Sequence, residues 1–532
     1  MSAYDFVVIG GGNGGLVVAS RLSEDIDVQV LVLEAGPEVE SLPEVFVPGL
    51  AGTGEAASTL NWAYQTVPQE NMNGRQLRVS AGRALGGSTI INSMIASRGA
   101  KAQYDAMGTL NNSTDWNWDS LLTYFKRSEV FTSPNAFQSA NGADYDTSVH
   151  GPPSLSDAGK GAVKVGFPNY YFPQSQMFVE ALTSDDSLMG TRYQRTKDLA
   201  DGDPGRHVGV ACNTLDAANN TRCSATCGYI TPFLGVRPNL QVITNAMVSK
   251  ILWDDTKRAN GSIVANKVEY FIEGDNTPKY AEVNVDNGGE VVLAAGTIGT
   301  PKVMELSGVG SSSLLKGLGI EVVLDLPSVG ENLADHVHSW ASSTTHASLT
   351  KDVLHQNKAF ADEQLDMWHQ NRSGLYSAAP RTLALTVPSD LLPKDRITDL
   401  INNARNNIHM YASKYANGNS KLEQGIKVQH QISLDLYERD EQLPSELNLE
   451  PGYSGPTSVD QRGNLNFTTI NAVFYSPLSR GRTHITSTDH NARPAVDPAY
   501  WSHPIDVAMH VASLQAARKL LRTPPLQSIY IK

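Results

Sequence analysis

Apolar residues gather at the start of the chain in two short runs, Tyr4 to Ile9 and Val28 to Leu33, separated by the glycine cluster Gly10 to Gly15 and by Leu16 to Leu22, where apolar residues recur at helical spacing. This pattern predicts strand, turn, helix, strand, a βαβ unit whose strands are buried on both faces. Residues 36–80 are rich in Pro, Gly and polar residues with little periodicity, which predicts a long excursion able to cover a site. A helix is expected through Asp119 to Lys126, polar loops over 132–160 and 184–224, and strands over 240–251, 264–272 and 290–295. Beyond about residue 337 helices and strands alternate with Pro- and Asn-rich turns until Pro504 to Leu521, a strongly amphipathic helix. No repeat or low-complexity tract interrupts the pattern.

Composition narrows the class without choosing a function. A chain of 532 residues with 40% apolar and 18% charged residues can build at least two regions around sizeable cores. The formal charge of -13 argues against a nucleic-acid or anionic-membrane surface. No stretch reaches the roughly 20 apolar residues of a membrane span, and the first strand leaves no room for a signal peptide, so a cytoplasmic location is expected. The three cysteines, Cys212, Cys223 and Cys227, are too few for a disulfide framework. Cys223 and Cys227 could form one bridge or half of a metal site; free thiols are the expected state, and no metal is expected.

Gly10-Gly11-Gly12-Asn13-Gly14-Gly15 satisfies the G-x-G-x-x-G dinucleotide fingerprint, after a strand and before a helix as that fingerprint requires. Gly10 permits the tight turn, Gly12 lets backbone approach a pyrophosphate, and Gly15 lets the helix pack close to the strand. The helix N-terminus offers unpaired N–H groups to phosphate. Glu34 ends the second strand at the expected offset of about 20 residues, where a carboxylate accepts hydrogen bonds from ribose hydroxyls. The fingerprint does not separate FAD from NAD. A single copy at the extreme N-terminus of a long chain, with no second G-x-G-x-x-G after a strand, favours FAD.

A second cluster, Gly82-Arg83-Ala84-Leu85-Gly86-Gly87-Ser88-Thr89-Ile90-Ile91-Asn92, continues through Ala96 and Gly99 to Asp105. It resembles the first signature of the glucose-methanol-choline oxidoreductases, and Gly296-Thr297-Ile298-Gly299-Thr300-Pro301, closed by Ser307-Gly308-Val309-Gly310, resembles the second. Asn61 to Tyr64, Arg237 to Leu240, Val329 to His336 and Pro477 to Arg482 extend the resemblance along the chain. It implies an α/β fold, α+β overall. A Rossmann-like FAD-binding domain, residues 1–337 with insertions near 36–80 and 132–224, would carry an inserted or following antiparallel-sheet substrate domain, completed by residues 338–532. It also implies cofactor contacts from Gly10, Gly12, Asn13, Gly14, Gly15, Glu34, Ala35, Trp62, Gly86, Gly87, Ser88, Asn92, Ser93, Met94, Ile95, Val248, Ala295 and Gly296. Val248 would meet the adenine edge through its backbone, and the Gly86 to Ile95 segment would lie along the flavin.

The family's catalytic histidine follows the segment equivalent to the Pro504 to Leu521 helix, and this chain ends at Lys532 without the His-x-x-Gly-Thr-like stretch. The expectation is therefore a chain lacking the usual C-terminal catalytic segment. None of His150, His336, His338, His484, His490, His503 and His510 has the family's catalytic context, so no residue is assigned as base. The expected function is hydride transfer from the CH–OH group of a small-molecule alcohol to FAD, with O2 or a quinone as acceptor, in a secondary-metabolite pathway. Alternatives are a lyase, cyclase or dehydratase that keeps FAD as a structural element, and an inactive FAD-binding fragment. A homo-oligomer is compatible with the sequence.

Overall fold

The computed structural model describes residues 3–151, 162–185, 187–190, 192–196, 198–203, 205–254, 262–379, 382–455 and 463–531. Four short apolar segments form one parallel sheet in the order Leu240–Ile243, Val30–Leu33, Phe6–Ile9, Glu290–Leu293. The two central strands, Phe6–Ile9 and Val30–Leu33, are covered on both faces, which is why their sequences are continuous apolar runs. On one face the helices Asn13–Leu22 and Ala225–Tyr229 bring Leu16, Ala19, Ala225 and Tyr229 against Val8, Val30 and Val32. On the other, an antiparallel sheet of Ala246–Trp253, Ala265–Ile272 and Lys279–Glu282 packs Val248, Ile251, Val268 and Tyr270 against Val7, Ile9, Leu31 and Leu33.

A second, six-stranded sheet runs Val337–Thr344, Phe467–Phe474, Ser445–Glu450, Thr382–Leu385, His207–Val210, Gln194–Arg195. Its first five strands are antiparallel, and Gln194–Arg195 adds in parallel. Alternation assigns Ala341, Ile470, Ala472, Leu447, Leu449, Ala384 and Val208 to one face, against Ala516, Ala517 and Leu520 of the helix Pro504–Leu520. The other face carries Glu446, Asn448 and Asn471, all buried. Asn471 donates to Asn448 (2.8 Å), and Tyr475 donates its hydroxyl to Glu446 (2.6 Å).

Several expectations change in detail. Residues 240–251 are two strands, not one: Asn245, at φ +53°, turns the chain out of the parallel sheet and into the antiparallel one. The expected loops over 132–160 and 184–224 contain the helix Ala136–Ala140, fixed by reciprocal capping between Asn135 and Gln138, and the strands His207–Val210, Leu215–Asp216 and Thr221–Arg222. Residues 152–160 of the first loop lie outside the described residues. Free thiols are not found at Cys223 and Cys227, which form a disulfide; the chain's turn through the Ser224 cap into the helix Ala225–Tyr229 brings their Cα atoms to 5.2 Å, within bridging range. Cys212 is free and buried. Among the described residues no helix is long and apolar enough to cross a membrane.

Candidate functional site

Where the parallel strands end, their C-terminal residues and the turns that follow surround a cavity of about 430 Å³. Its floor is Gly10, Gly12, Asn13 and Gly14 after the first strand, Glu34 and Ala35 after the second, and Ala294 to Gly296 after the last. Ala246, Met247 and Val248 wall one end. Trp62, Tyr64 and Val79 to Gly82 cover it, with Trp62 and Tyr64 stacked at 5.9 Å and the Arg83 guanidinium 5.5 Å from the Trp62 ring centre. The excursion over 36–80 therefore contributes the cover through a small hairpin, Tyr64–Gln65 with Arg78–Val79.

Two helices begin at this cavity, Asn13–Leu22 and Gly296–Leu306. Neither has a side-chain cap, and neither carries an acidic residue in its first turn. Their first N–H groups and the positive ends of their dipoles are left for an anion. Gly10 makes the turn possible at φ +101°, where a Cβ would lie 2.4 Å from the Ala294 carbonyl oxygen. A Cβ on Gly15 would lie 2.0 Å from the Gly10 carbonyl oxygen, so the helix can approach the strand only with glycine there.

Glu34 is buried, and each of its oxygens accepts one backbone N–H: Oε2 from Gly11 and Oε1 from Gly36, both at 2.8 Å. Burial raises its pKa to about 7 against the opposing pull of these N–H groups. The carboxyl thus fixes the glycine turn while retaining lone pairs for further donors. Lys302 reaches the wall and donates to the His490 carbonyl at 2.6 Å; burial lowers its pKa. Asp335, also on the wall, accepts the Tyr500 hydroxyl.

Of the residues expected at the cofactor, Gly10, Gly12, Asn13, Gly14, Glu34, Ala35, Trp62, Gly87, Ser88, Val248, Ala295 and Gly296 line the cavity. Gly15, Gly86, Asn92, Ser93, Met94 and Ile95 do not. Gly86 donates its N–H to the Gly11 carbonyl (2.7 Å), and the Asn92 side-chain oxygen accepts from the Arg222 guanidinium (2.7 Å). Met94 is buried, its carbonyl accepting from the Thr214 N–H at 2.8 Å, and Ile95 bridges to Asn213. Ser93 is exposed. Tyr64, Lys302, Asp335, Val496 and Pro498 line the cavity without having been singled out. Asp335 lies in the Val329 to His336 stretch that carries the family resemblance, whereas Val496 and Pro498 reach the cavity only through tertiary folding, which leaves no local signal.

The family model for GMC oxidoreductases matches residues 4–338, and the model for the family's C-terminal part matches residues 477–531. The chain belongs to the GMC oxidoreductase family. As a GMC oxidoreductase it is an FAD-dependent oxidoreductase, and the uncapped helix ends and glycine floor fit an FAD pyrophosphate. It is 30% identical to a dehydrogenase of Armillaria gallica over 529 residues, 97% of this chain and 78% of that one. Its fold matches an FAD-dependent oxidoreductase of Chaetomium thermophilum with TM-score 0.84 and 28% identity, over 99% of this chain and 83% of the other. A fungal aryl-alcohol oxidase matches with TM-score 0.82 and 25% identity, over 99% and 84%.

The expectation that this GMC oxidoreductase lacks the family's C-terminal segment is overturned by the match at residues 477–531. A single histidine motif is a poor marker for a segment that begins well before it, at Pro477 and the helix Pro504–Leu520. None of the seven histidines lines the cavity, although the His490 carbonyl accepts from Lys302 and His336 follows Asp335 on its wall. His150 lies between Glu129 (2.8 Å) and Asp198 (2.7 Å), and His484 between Glu305 (2.6 Å) and Glu331 (3.2 Å). Burial alone would lower both, but hydrogen bonds and charges from the carboxylates outweigh it and hold each at about 9. His503 and His510 are buried and lowered to about 3 and about 4, chiefly by that burial. His490 stacks on Phe271 at 4.4 Å, and His336 packs at 4.5 Å from the Tyr475 ring. His338 lies 4.6 Å from the Trp340 ring.

Proposed function

We propose that the chain binds FAD in this cavity and transfers a hydride from the CH–OH group of a small-molecule alcohol to it, with O2 or a quinone as the final acceptor. The observation that carries the reading is the meeting of two uncapped helix N-termini beside Glu34 at the carboxyl edge of a parallel sheet, the place where such sheets bind dinucleotides. In it, Gly12, Asn13 and Gly14 present N–H groups to the pyrophosphate, Glu34 and Ala35 meet the adenosine ribose, and the Val248 backbone meets the adenine. Gly87, Ser88, Ala295 and Gly296 line the path toward the flavin, and Trp62 closes the cover over it. Bound FAD supplies a two-electron acceptor; the protein's part is to orient the alcohol, exclude water and receive its hydroxyl proton.

Residues 1–337 form the FAD-binding region in this reading, and 338–532 complete the substrate side. The likeness to a fungal aryl-alcohol oxidase supports an alcohol substrate, and a role in secondary-metabolite biosynthesis is part of the same proposal. The test is the visible spectrum of the purified protein before and after anaerobic addition of aryl, aliphatic and sugar alcohols. Bleaching of bound flavin supports hydride transfer. Turnover without bleaching supports a lyase or dehydratase instead, and a colourless protein that takes up no added FAD overturns the site.

A further inference from the structure

Arg222 is 4% exposed and belongs to no ion pair among the described residues. Its guanidinium instead donates to four neutral oxygens: Nε to the Val45 carbonyl (2.8 Å), Nη1 to the Thr89 carbonyl (2.9 Å) and Asn92 Oδ1 (2.7 Å), and Nη2 to the Asn92 carbonyl (2.8 Å). A buried cation without a counter-ion is costly and is retained only where its hydrogen bonds are specific. Burial lowers its pKa to about 10, which leaves it charged at neutral pH.

What these bonds hold is the far end of the turn whose near end is the cavity wall. Gly87–Ile90 is a single 3-10 turn; Gly87 and Ser88 line the cavity, and the next residue, Thr89, is clasped by Arg222. The Thr89 hydroxyl accepts the Ala225 N–H (2.9 Å) and donates to the Gly86 carbonyl, adding a second tie from the same Arg222–Ala225 segment. Through Val45 the same guanidinium reaches the helix Pro43–Phe46 of the covering excursion.

We propose that Arg222 is a positioning residue for the cofactor, setting the Gly86–Asn92 turn so that its Gly87 and Ser88 backbone keeps its contact with the Gly12 turn and its place on the cavity wall. The proposal rests on the cavity being the FAD site. Arginine is needed because a planar fork can hold two carbonyls and an amide oxygen of one turn at once, which a lysine ammonium cannot match in direction.

The experiment compares the wild-type chain with Arg222→Met, Arg222→Lys and Thr89→Val. For each, the dissociation constant of FAD from apoprotein and the melting temperatures of apo and FAD-loaded forms are measured. The expected result is a Kd for FAD raised about ten- to hundredfold in Arg222→Met, with partial rescue in Arg222→Lys and a smaller loss in Thr89→Val. The gap between loaded and apo melting temperatures should shrink in the same order. A merely structural role would lower both temperatures together and leave the gap unchanged. Should Arg222→Met fail to fold, the other two variants decide. Wild-type Kd and melting gap in both overturn the proposal while leaving the FAD site standing, whereas a wild-type chain that takes up no FAD overturns the site and this link together.

Discussion

Gly87 faces Gly12 so closely that a Cβ on Gly87 would lie 2.7 Å from the Gly12 Cα. The reverse is not true: a Cβ on Gly12 would meet the Gly87 Cα only at 3.7 Å. The two glycines therefore have different reasons to be glycine. Gly87 is bound to its place by φ +55° and the opposing backbone, whereas Gly12 faces the open cavity.

Gly12→Val should consequently fold and fail to hold FAD, because the added methyl groups occupy the approach to the helix N-terminus. The check pairs a thermal melt of the apoprotein, expected close to wild type, with FAD titration, expected to show no saturable binding. A valine variant that stays yellow through purification would place the pyrophosphate elsewhere.

Gly87→Ala should act in the opposite way, lowering the stability of the apoprotein by about 1–3 kcal/mol through left-handed backbone strain and the clash with Gly12. Denaturant unfolding of the apoprotein measures it. A midpoint equal to wild type would mean that the two turns separate freely.

Glu34→Ala strips the acceptor from two buried N–H groups, those of Gly11 and Gly36. Each unsatisfied group costs on the order of 1–3 kcal/mol, so the variant should lose both stability and FAD affinity. Glu34→Gln, which keeps one side-chain carbonyl oxygen, should fall between alanine and wild type in both measurements.

The buried histidines contribute two opposing limbs to the pH profile of stability. His150 and His484, held at about 9, contribute stability that is complete below the ordinary histidine value near 6.5 and lost as pH rises through 9. His430, His503 and His510, lowered to about 4, about 3 and about 4, contribute stability that is complete above 6.5 and lost on acidification. Melting temperature should peak between these limbs, and His484→Gln should flatten the alkaline limb. An alkaline limb with the wild-type slope in that variant would show that the bridge between Glu305 and Glu331 does not depend on an imidazolium.

The parallel sheet was legible because its two central strands are uniform apolar runs and the glycine turn has one geometry available to it. Glu34 was legible for the same reason, being fixed by offset from that turn. The six-stranded sheet was harder: His207–Val210 is four residues in a polar stretch, and it becomes a strand by pairing with Thr382–Leu385 far along the chain. Lys302 and Asp335 enter the cavity through tertiary packing that periodicity does not encode. The Cys223–Cys227 bridge escaped because composition speaks to a compartment average, whereas bridging depends on one local Cα separation.

The corner at Asn245 gives the site a parity. Its N–H donates to the Gly36 carbonyl (2.9 Å) and the neighbouring Ala246 N–H to the Glu34 carbonyl (2.8 Å), so the strand that begins there counts its faces from the residues beside Glu34. Side chains alternate along the strand from Ala246 as far as the bulge between Val248 and Lys250, and a one-residue insertion between Ile243 and Ala246 would exchange the sides of these first residues, sending the buried Val248 outward and Met247 into the apolar layer. Natural variation in length at this corner should thus come in pairs of residues or not at all.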